Sequence, residues 1–234
     1  MELTSVVPWG RSFNEYQSMF SLNTMDLKKT ILGCGDGPAC FNAELTKAGG
    51  NVISVDPVYQ FNSQQIRSRI EQVYPEVMSQ VIKNSDDFIW ETITNADELG
   101  RIRMAAMENF LNDYVQGKEE GRYVNASLPI LPFKQAEFDL ALCSHYLFLY
   151  SEQVDQAQHV LAMNELCRVA NEVRVYPLLA LDGSRSIHLD SVINNLKERG
   201  FDVSLQTVEY QFQKGATKML VVKNDSSTLY PTRC

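Results

Sequence analysis

Thr30–Tyr59, TILGCGDGPACFNAELTKAGGNVISVDPVY, decides the fold of this chain. The apolar run ending at Cys34 reads as a strand, and Gly33, Gly35 and Gly37 mark a turn. Phe41, Leu45 and Ala48 make the apolar stripe of a helix. Pro38 suits that helix's first turn, and Gly49-Gly50 end it. Asn51 to Asp56 is a second strand, stopped by Pro57. This is the first half of a nucleotide-binding βαβ unit. Turn glycines let a ligand approach the backbone, and the helix start offers unpaired N–H groups.

Glycine spacing separates the cofactor classes. The dinucleotide fingerprint GxGxxG fails, because its last position falls on Pro38 when counted from Gly33 and on Cys40 when counted from Gly35. A phosphate-binding loop ending in GK[ST] is absent. The glycines follow GxGxG, with an acid closing the next strand. In this the chain resembles motif I of the class I (Rossmann-like) S-adenosylmethionine-dependent methyltransferases, and the order of strands and helices extends the resemblance over nearly its whole length. The family pattern is acid-x-Gly-x-Gly-x-Gly, with about 21 residues from its first glycine to the strand-two acid. Counting back from Asp56 places Gly35 and Gly37 on the first two family glycines and Ala39 on the third. Gly33 then stands where the family has its acid, a departure that Asp36 answers only from another direction.

The resemblance implies a doubly wound, mostly parallel seven-stranded α/β sheet with a terminal antiparallel hairpin. It implies S-adenosyl-L-methionine as cofactor, with Gly33, Cys34, Gly35, Asp36, Gly37 and Pro57 around it and Asp56 holding the ribose hydroxyls. The family's third motif, Asp-Ala-x-x-Leu-Pro-Phe, is matched by Leu131-Pro132-Phe133, which puts Ser127 and Leu128 beside the adenine, with Ser127 replacing the usual acid. The fourth motif falls on Cys143-Ser144-His145-Tyr146, making the Ser144 backbone a cofactor contact. His145 is the candidate general base, since imidazole titrates near neutral pH; the alternative is a histidine that packs and hydrogen-bonds structurally. Tyr146 and Tyr150 either line an acceptor pocket or pack the sheet. Arg11, in Trp9-Gly10-Arg11, either pairs with the methionine carboxylate from an N-terminal lid or is a solvated arginine. No Asp/Asn-Pro-Pro-Tyr/Phe element occurs, which argues against amino methylation of nucleobases.

The rest of the chain fits one α/β domain with an insertion. Residues 1–28 read as an N-terminal helical lid, with Ser12 and Glu15 at capping-box spacing. Residues 29–224 read as the methyltransferase-like domain. Its segment at about 58–121 is a helical insertion, in which Asn95 and Glu98 form a second capping box. Asp86, Asp87, Trp90, Arg101 and Arg103 are its candidates for substrate specificity. Strands are expected at Tyr123–Asn125, Phe138–Ser144, Glu172–Leu181, Val203–Gln211 and Thr217–Lys223, with helices at Ser151–Val169 and Ile187–Arg199. Residues 225–234 read as a polar tail.

The 234 residues are 44% hydrophobic and 21% charged, with net charge −8. A surface built to neutralise phosphates is basic, so a nucleic-acid substrate is disfavoured. Five cysteines without a CxxC pair and three scattered histidines give neither a disulfide framework nor a metal signature. The N-terminus lacks the basic-then-apolar pattern of a signal peptide, and no apolar run suits a membrane helix. The expectation is a cytoplasmic enzyme transferring a methyl group to a small molecule. The alternative is a non-catalytic S-adenosylmethionine or adenine-nucleoside binding protein with a regulatory role.

Overall fold

A computed structural model describes residues 7–224; the tail expected at 225–234 lies outside the described residues. The chain runs α1 (Phe13–Met19), β1 (Thr30–Cys34), α2 (Phe41–Lys47), β2 (Asn51–Val55), α3 (Ser63–Lys83), α4 (Ala96–Glu119) and β3 (Tyr123–Val124). There follow β4 (Phe138–Ser144), α5 (Gln156–Val169), β5 (Ala170–Tyr176), α6 (Leu189–Glu198), β6 (Asp202–Thr207) and β7 (Lys218–Lys223). One seven-stranded sheet has the order β3-β2-β1-β4-β5-β7-β6. All neighbours are parallel except β7, which is antiparallel to both β5 and β6.

Burial on both faces explains the strand sequences. In β4, Phe138, Ala141 and Cys143 face one core cluster with α5 and α6, while Leu140 and Leu142 face the other with α1 and α2. A strand covered on both sides has no polar alternation to show, which is why this run reads as continuously apolar. Register aligns the carboxyl ends: Cys34 pairs with Val55 on one side and Cys143 on the other, and Ser144 pairs with Tyr176. The loops leaving β1, β2, β4 and β5 therefore converge at one edge, where open α/β sheets bind ligands.

The helical stretch between β2 and β3 packs through its own apolar faces. Tyr59, Ile66, Ile70, Phe110, Tyr114 and Tyr123 form one cluster; Val77, Val81, Ile93 and Leu99 form another. The two apolar stripes of residues 66–81 belong to a single helix that continues through Pro75. Its end is tied down: Ile89 N donates to Phe212 O at 2.8 Å, and Lys214 N donates to Asp87 O at 2.9 Å. Phe88, Trp90 and Phe212 pack as a ring cluster across that junction.

Some boundaries differ from the sequence expectation, each for a local reason. α2 begins at Phe41 rather than Pro38, because residues 35–40 form the glycine turn. β5 ends at Tyr176, since Pro177 has no N–H to continue the ladder. α5 begins at Gln156, where Asp155 supplies the cap by accepting from Gln158 N at 2.8 Å. At α4 the expected reciprocal box is only half formed. Asn95 accepts from Glu98 N, but the Glu98 carboxylate accepts from Thr94 N instead, at 2.7 Å. The Ser12–Glu15 box does form, with Ser12 N donating to Glu15 Oε2 at 2.9 Å.

Candidate functional site

At the carboxyl edge of the sheet a cavity of about 660 Å³ is lined by residues from several sequence-distant segments. That lies within the usual range for small-molecule sites. Its wall brings together Cys34, Gly35, Asp36 and Gly37 from the glycine turn and Asp56 and Pro57 from the end of β2. Ser127 and Leu128 follow β3; Ser144, His145, Tyr146 and Tyr150 follow β4; Arg11 comes from the N-terminal strap. Gly33 is the one expected cofactor residue that is not in this wall. It lies inside β1, one residue short of the turn.

Gly33 instead explains Asp36. A Cβ placed on Gly33 would stand 1.8 Å from Asp36 Oδ2. The Asp36 carboxylate therefore fills the space that a side chain at position 33 would use. Where the family pattern has an acid at the strand, this chain has one folded back from three residues later. Asp36 is 7% exposed and accepts from Tyr16 Oη and Ser54 Oγ, both at 2.7 Å. Burial raises its pKa to about 6, against the lowering effect of these two donors.

Asp56, at the end of β2, bounds the cavity beside the turn. Its Oδ2 accepts from Gly37 N at 2.9 Å and its Oδ1 from Val58 N at 2.8 Å. Each oxygen thus holds one backbone N–H and retains a further lone-pair direction for a diol. Burial pushes this carboxyl above the ordinary value, and the two N–H bonds oppose that. Tyr59 Oη donates to Gly37 O at 2.7 Å, fixing the turn from the other side.

The strap lies directly on the turn. A Cβ on Gly10 would stand 2.1 Å from Pro38 O, so only glycine permits this approach, and Cys40 N donates to Arg11 O at 3.1 Å. Arg11 Nη1 donates to Trp9 O at 2.9 Å, while its buried Nε has no partner. Burial, reinforced by the nearby Arg103, lowers the Arg11 pKa.

His145 sits in the left-handed region at φ +50°, with its N–H donating to Tyr176 O at 2.8 Å. That conformation is uncommon for a non-glycine residue, and His145 forms part of the cavity wall. Nδ1 lies 3.0 Å from Ser144 Oγ, and the ring packs edge-on against Tyr176. Burial, with Arg11 and Arg103 nearby, holds the imidazole well below its ordinary pKa. It is neutral at physiological pH, able to accept a proton but weakly basic.

Several wall residues carry no motif. Val58, Gln60, Phe61, Gln65, Ile66 and Arg69 line the cavity from the segment after β2 and from α3. Their only sequence signal is position just beyond the strand-two acid. Of the insertion's candidates, Arg103 is the one drawn fully inside, 1% exposed and paired with Glu15. Asp86 and Asp87 are exposed, and Trp90 Nε1 donates to Ser85 O at 2.9 Å.

The strand order with an antiparallel β7, the glycine turn after β1 and the acid after β2 together define the class I (Rossmann-like) methyltransferase fold. The chain belongs to the family of the uncharacterised protein MJ0045 of Methanocaldococcus jannaschii: the two are 31% identical over 225 residues, covering 95% of this chain and 98% of that one. No protein-family model matches. Among solved structures, the chain is similar to a SAM-dependent methyltransferase from Aquifex aeolicus, with 14% identity, TM-score 0.42, and 84% and 83% of the two chains covered. It is also similar to the PH0226 protein of Pyrococcus horikoshii, with 10% identity, TM-score 0.48 and 91% of each chain covered. Among the described residues no helix is long and apolar enough to cross a membrane.

Proposed function

We propose that this protein is an S-adenosylmethionine-dependent methyltransferase acting on a small-molecule acceptor. The observation that carries the reading is the Asp56 carboxylate at the end of β2. It is bonded across the turn to Gly37 N, in the wall of a cavity large enough for a nucleoside and a second ligand. In this reading Asp56 holds the ribose hydroxyls, and Ser127 and Leu128 border the adenine. The 35–37 turn and Ser144 carry the amino-acid end, toward which Arg11 offers its guanidinium. The relocated Asp36 supplies the carboxylate that position 33 lacks.

When bound, S-adenosylmethionine supplies an electrophilic methyl group, whose transfer in line leaves the breaking bond's electron pair on sulfur. What the chain contributes is position and exclusion of water. The strap covers the turn, Tyr146 packs on Gly35, and the carboxyl ends of β1 and β4 fix the wall between them. In this reading His145, neutral and in the cavity wall, takes the proton from an acceptor that carries one.

Calorimetry with S-adenosylmethionine, S-adenosylhomocysteine and NAD tests the reading. The two sulfur compounds are expected to bind and NAD is not. Asp56→Asn is expected to weaken binding roughly tenfold or more through loss of charged hydrogen bonds to the diol. Tight NAD binding without sulfonium binding would overturn the proposal. Sulfonium binding without turnover across a panel of small acceptors would favour the non-catalytic binding role.

A further inference from the structure

One end of the 660 Å³ cavity is left unassigned by the cofactor motifs. Its wall there is Val7 and Trp9 of the strap, Val77 of α3, Leu149 and Tyr150 after β4, and Leu181 after β5. Val7 and Trp9 pack against the cluster that contains Val77. The Val7 backbone hydrogen-bonds the Tyr150 hydroxyl, and Leu181 N donates to Leu149 O at 3.1 Å. Four segments far apart in the chain are thereby joined into one apolar and aromatic surface. His145 borders the same end, since a small neighbouring cavity is lined by Trp9, His145, Leu149 and Leu181 together.

This end offers no charge to a ligand. Among the described residues, the charged side chains of the cavity wall are Arg11, Asp36, Asp56 and Arg69. In the reading above, the first three serve the cofactor. Asp36 and Asp56 are also bonded into the glycine turn, to Tyr16, Ser54, Gly37 and Val58. Arg69 is exposed and donates to Gln72 Oε1 at 2.9 Å. It stands on α3 toward the β2 end of the cavity, and about 12 Å of helix separates it from Val77. Arg103, which lies near His145, is matched by Glu15. An acceptor with a carboxylate or an ammonium group here would be buried without a counter-ion, which is costly. What remains on offer is apolar contact, two aromatic rings and the imidazole.

We propose that this end of the cavity is the acceptor subsite and that it takes an uncharged aromatic ring bearing a hydroxyl, a phenol. The assignment rests on the methyl-transfer reading above. Trp9 and Tyr150 supply ring contacts, and Val77, Leu149 and Leu181 supply apolar surface. The hydroxyl belongs beside His145, the imidazole at this end of the wall. A weak base serves best with an acidic hydroxyl. A phenol ionises near pH ~10, whereas an aliphatic hydroxyl resembles water, near ~15.7. In the transfer, a phenol oxygen lone pair forms the new O–C bond to the methyl group. The C–S bond breaks with its electron pair left on sulfur, and the phenolic proton passes to His145 Nε2. His145 Nδ1 is taken up by Ser144 Oγ at 3.0 Å, which leaves Nε2 for that proton.

The test is calorimetry on the full chain, first with S-adenosylhomocysteine and then, at its saturation, with three phenols that differ in charge. These are 4-ethylphenol, the cation tyramine and the anion 4-hydroxyphenylacetate. The neutral compound is expected to bind roughly tenfold or more tighter than either ion, because each ion buries a charge without a partner. Leu149→Asp places a carboxylate in the wall and is expected to bring tyramine level with 4-ethylphenol or above it. Thermal melting monitors its folding; should it not fold, Leu181→Asp makes the same test from the loop after β5. His145→Asn retains a residue type that tolerates the left-handed backbone. It is expected to bind 4-ethylphenol within about threefold of wild type while methyl transfer at pH 7 falls roughly hundredfold. The rate should recover toward pH ~10, where the phenol ionises unaided. Binding of either ion as tight as that of 4-ethylphenol, or no binding or methylation of 4-ethylphenol, overturns the phenol class and leaves the cofactor reading standing. An unchanged ranking in a folded aspartate variant overturns the location. A His145→Asn rate that is unimpaired, or that higher pH does not restore, overturns the proton transfer. Failure of S-adenosylhomocysteine itself to bind removes the cofactor reading and the acceptor assignment together.

Discussion

Asp36→Asn is the substitution whose consequence follows most directly from the structure. Asp36 is 7% exposed, and burial lifts its pKa from 3.8 to about 6. In the unfolded chain the carboxyl returns to its ordinary value. Between these two pH values the folded protein binds more protons than the unfolded one, so stability falls as pH rises through the window. A shift of about two units corresponds to about 3 kcal/mol, fully expressed above pH ~6 and absent below pH ~4. His145 runs the other way. Its pKa is lowered well below the ordinary value, so acidification below about pH 6.5 costs stability as the unfolded state takes the proton. The raw pH profile therefore mixes opposing contributions, but the difference between variant and wild type isolates Asp36. Urea denaturation at a series of pH values is the assay. The variant carries a constant offset from its altered bonds to Tyr16 and Ser54. On top of that offset it is expected to gain about 3 kcal/mol relative to wild type between pH ~4 and pH ~7. A difference that stays flat across the window would refute the claim that Asp36 is buried as a penalised carboxylate.

Three further outcomes follow from the same geometry. Gly33→Ala places a methyl group 1.8 Å from Asp36 Oδ2 and is expected to cost about 1–3 kcal/mol by urea denaturation; combining it with Asp36→Ala should recover part of that loss in a double-mutant cycle. Glu15→Gln leaves the buried Arg103 without its counter-ion, and a loss of about 3–5 kcal/mol is expected. In the wild type the folded Glu15 pKa of about 2 lies below its ordinary 4.5, so its stabilisation is present above pH ~4.5 and is lost as pH falls toward ~2. Gly10→Ala meets the Pro38 carbonyl and should weaken S-adenosylhomocysteine binding in calorimetry more than it lowers the melting temperature, because it lifts the strap from the turn rather than opening the core.

The sequence by itself determined the frame. The spacing from Gly35 to Asp56 fixed the strand, turn, helix and second strand, since chain geometry allows few ways to bring a glycine turn and a strand-end acid together. The run of β4 was legible because a strand covered on both faces stays apolar along its length. What the spacing could not show is which side chains share a space. Gly33 looked like a lost acid, and only the fold puts the Asp36 carboxylate where that side chain would have been. Glu15 was legible as a helix cap, because its partner Ser12 is three residues away. Its second role depends on Arg103, 88 positions along the chain, and on Tyr210, 195 positions along. Contacts between the strap, the insertion and the β6–β7 connection leave no periodic trace in any of the three segments. Local sequence therefore specified the sheet and the glycine turn, while tertiary packing decided where the buried charges meet.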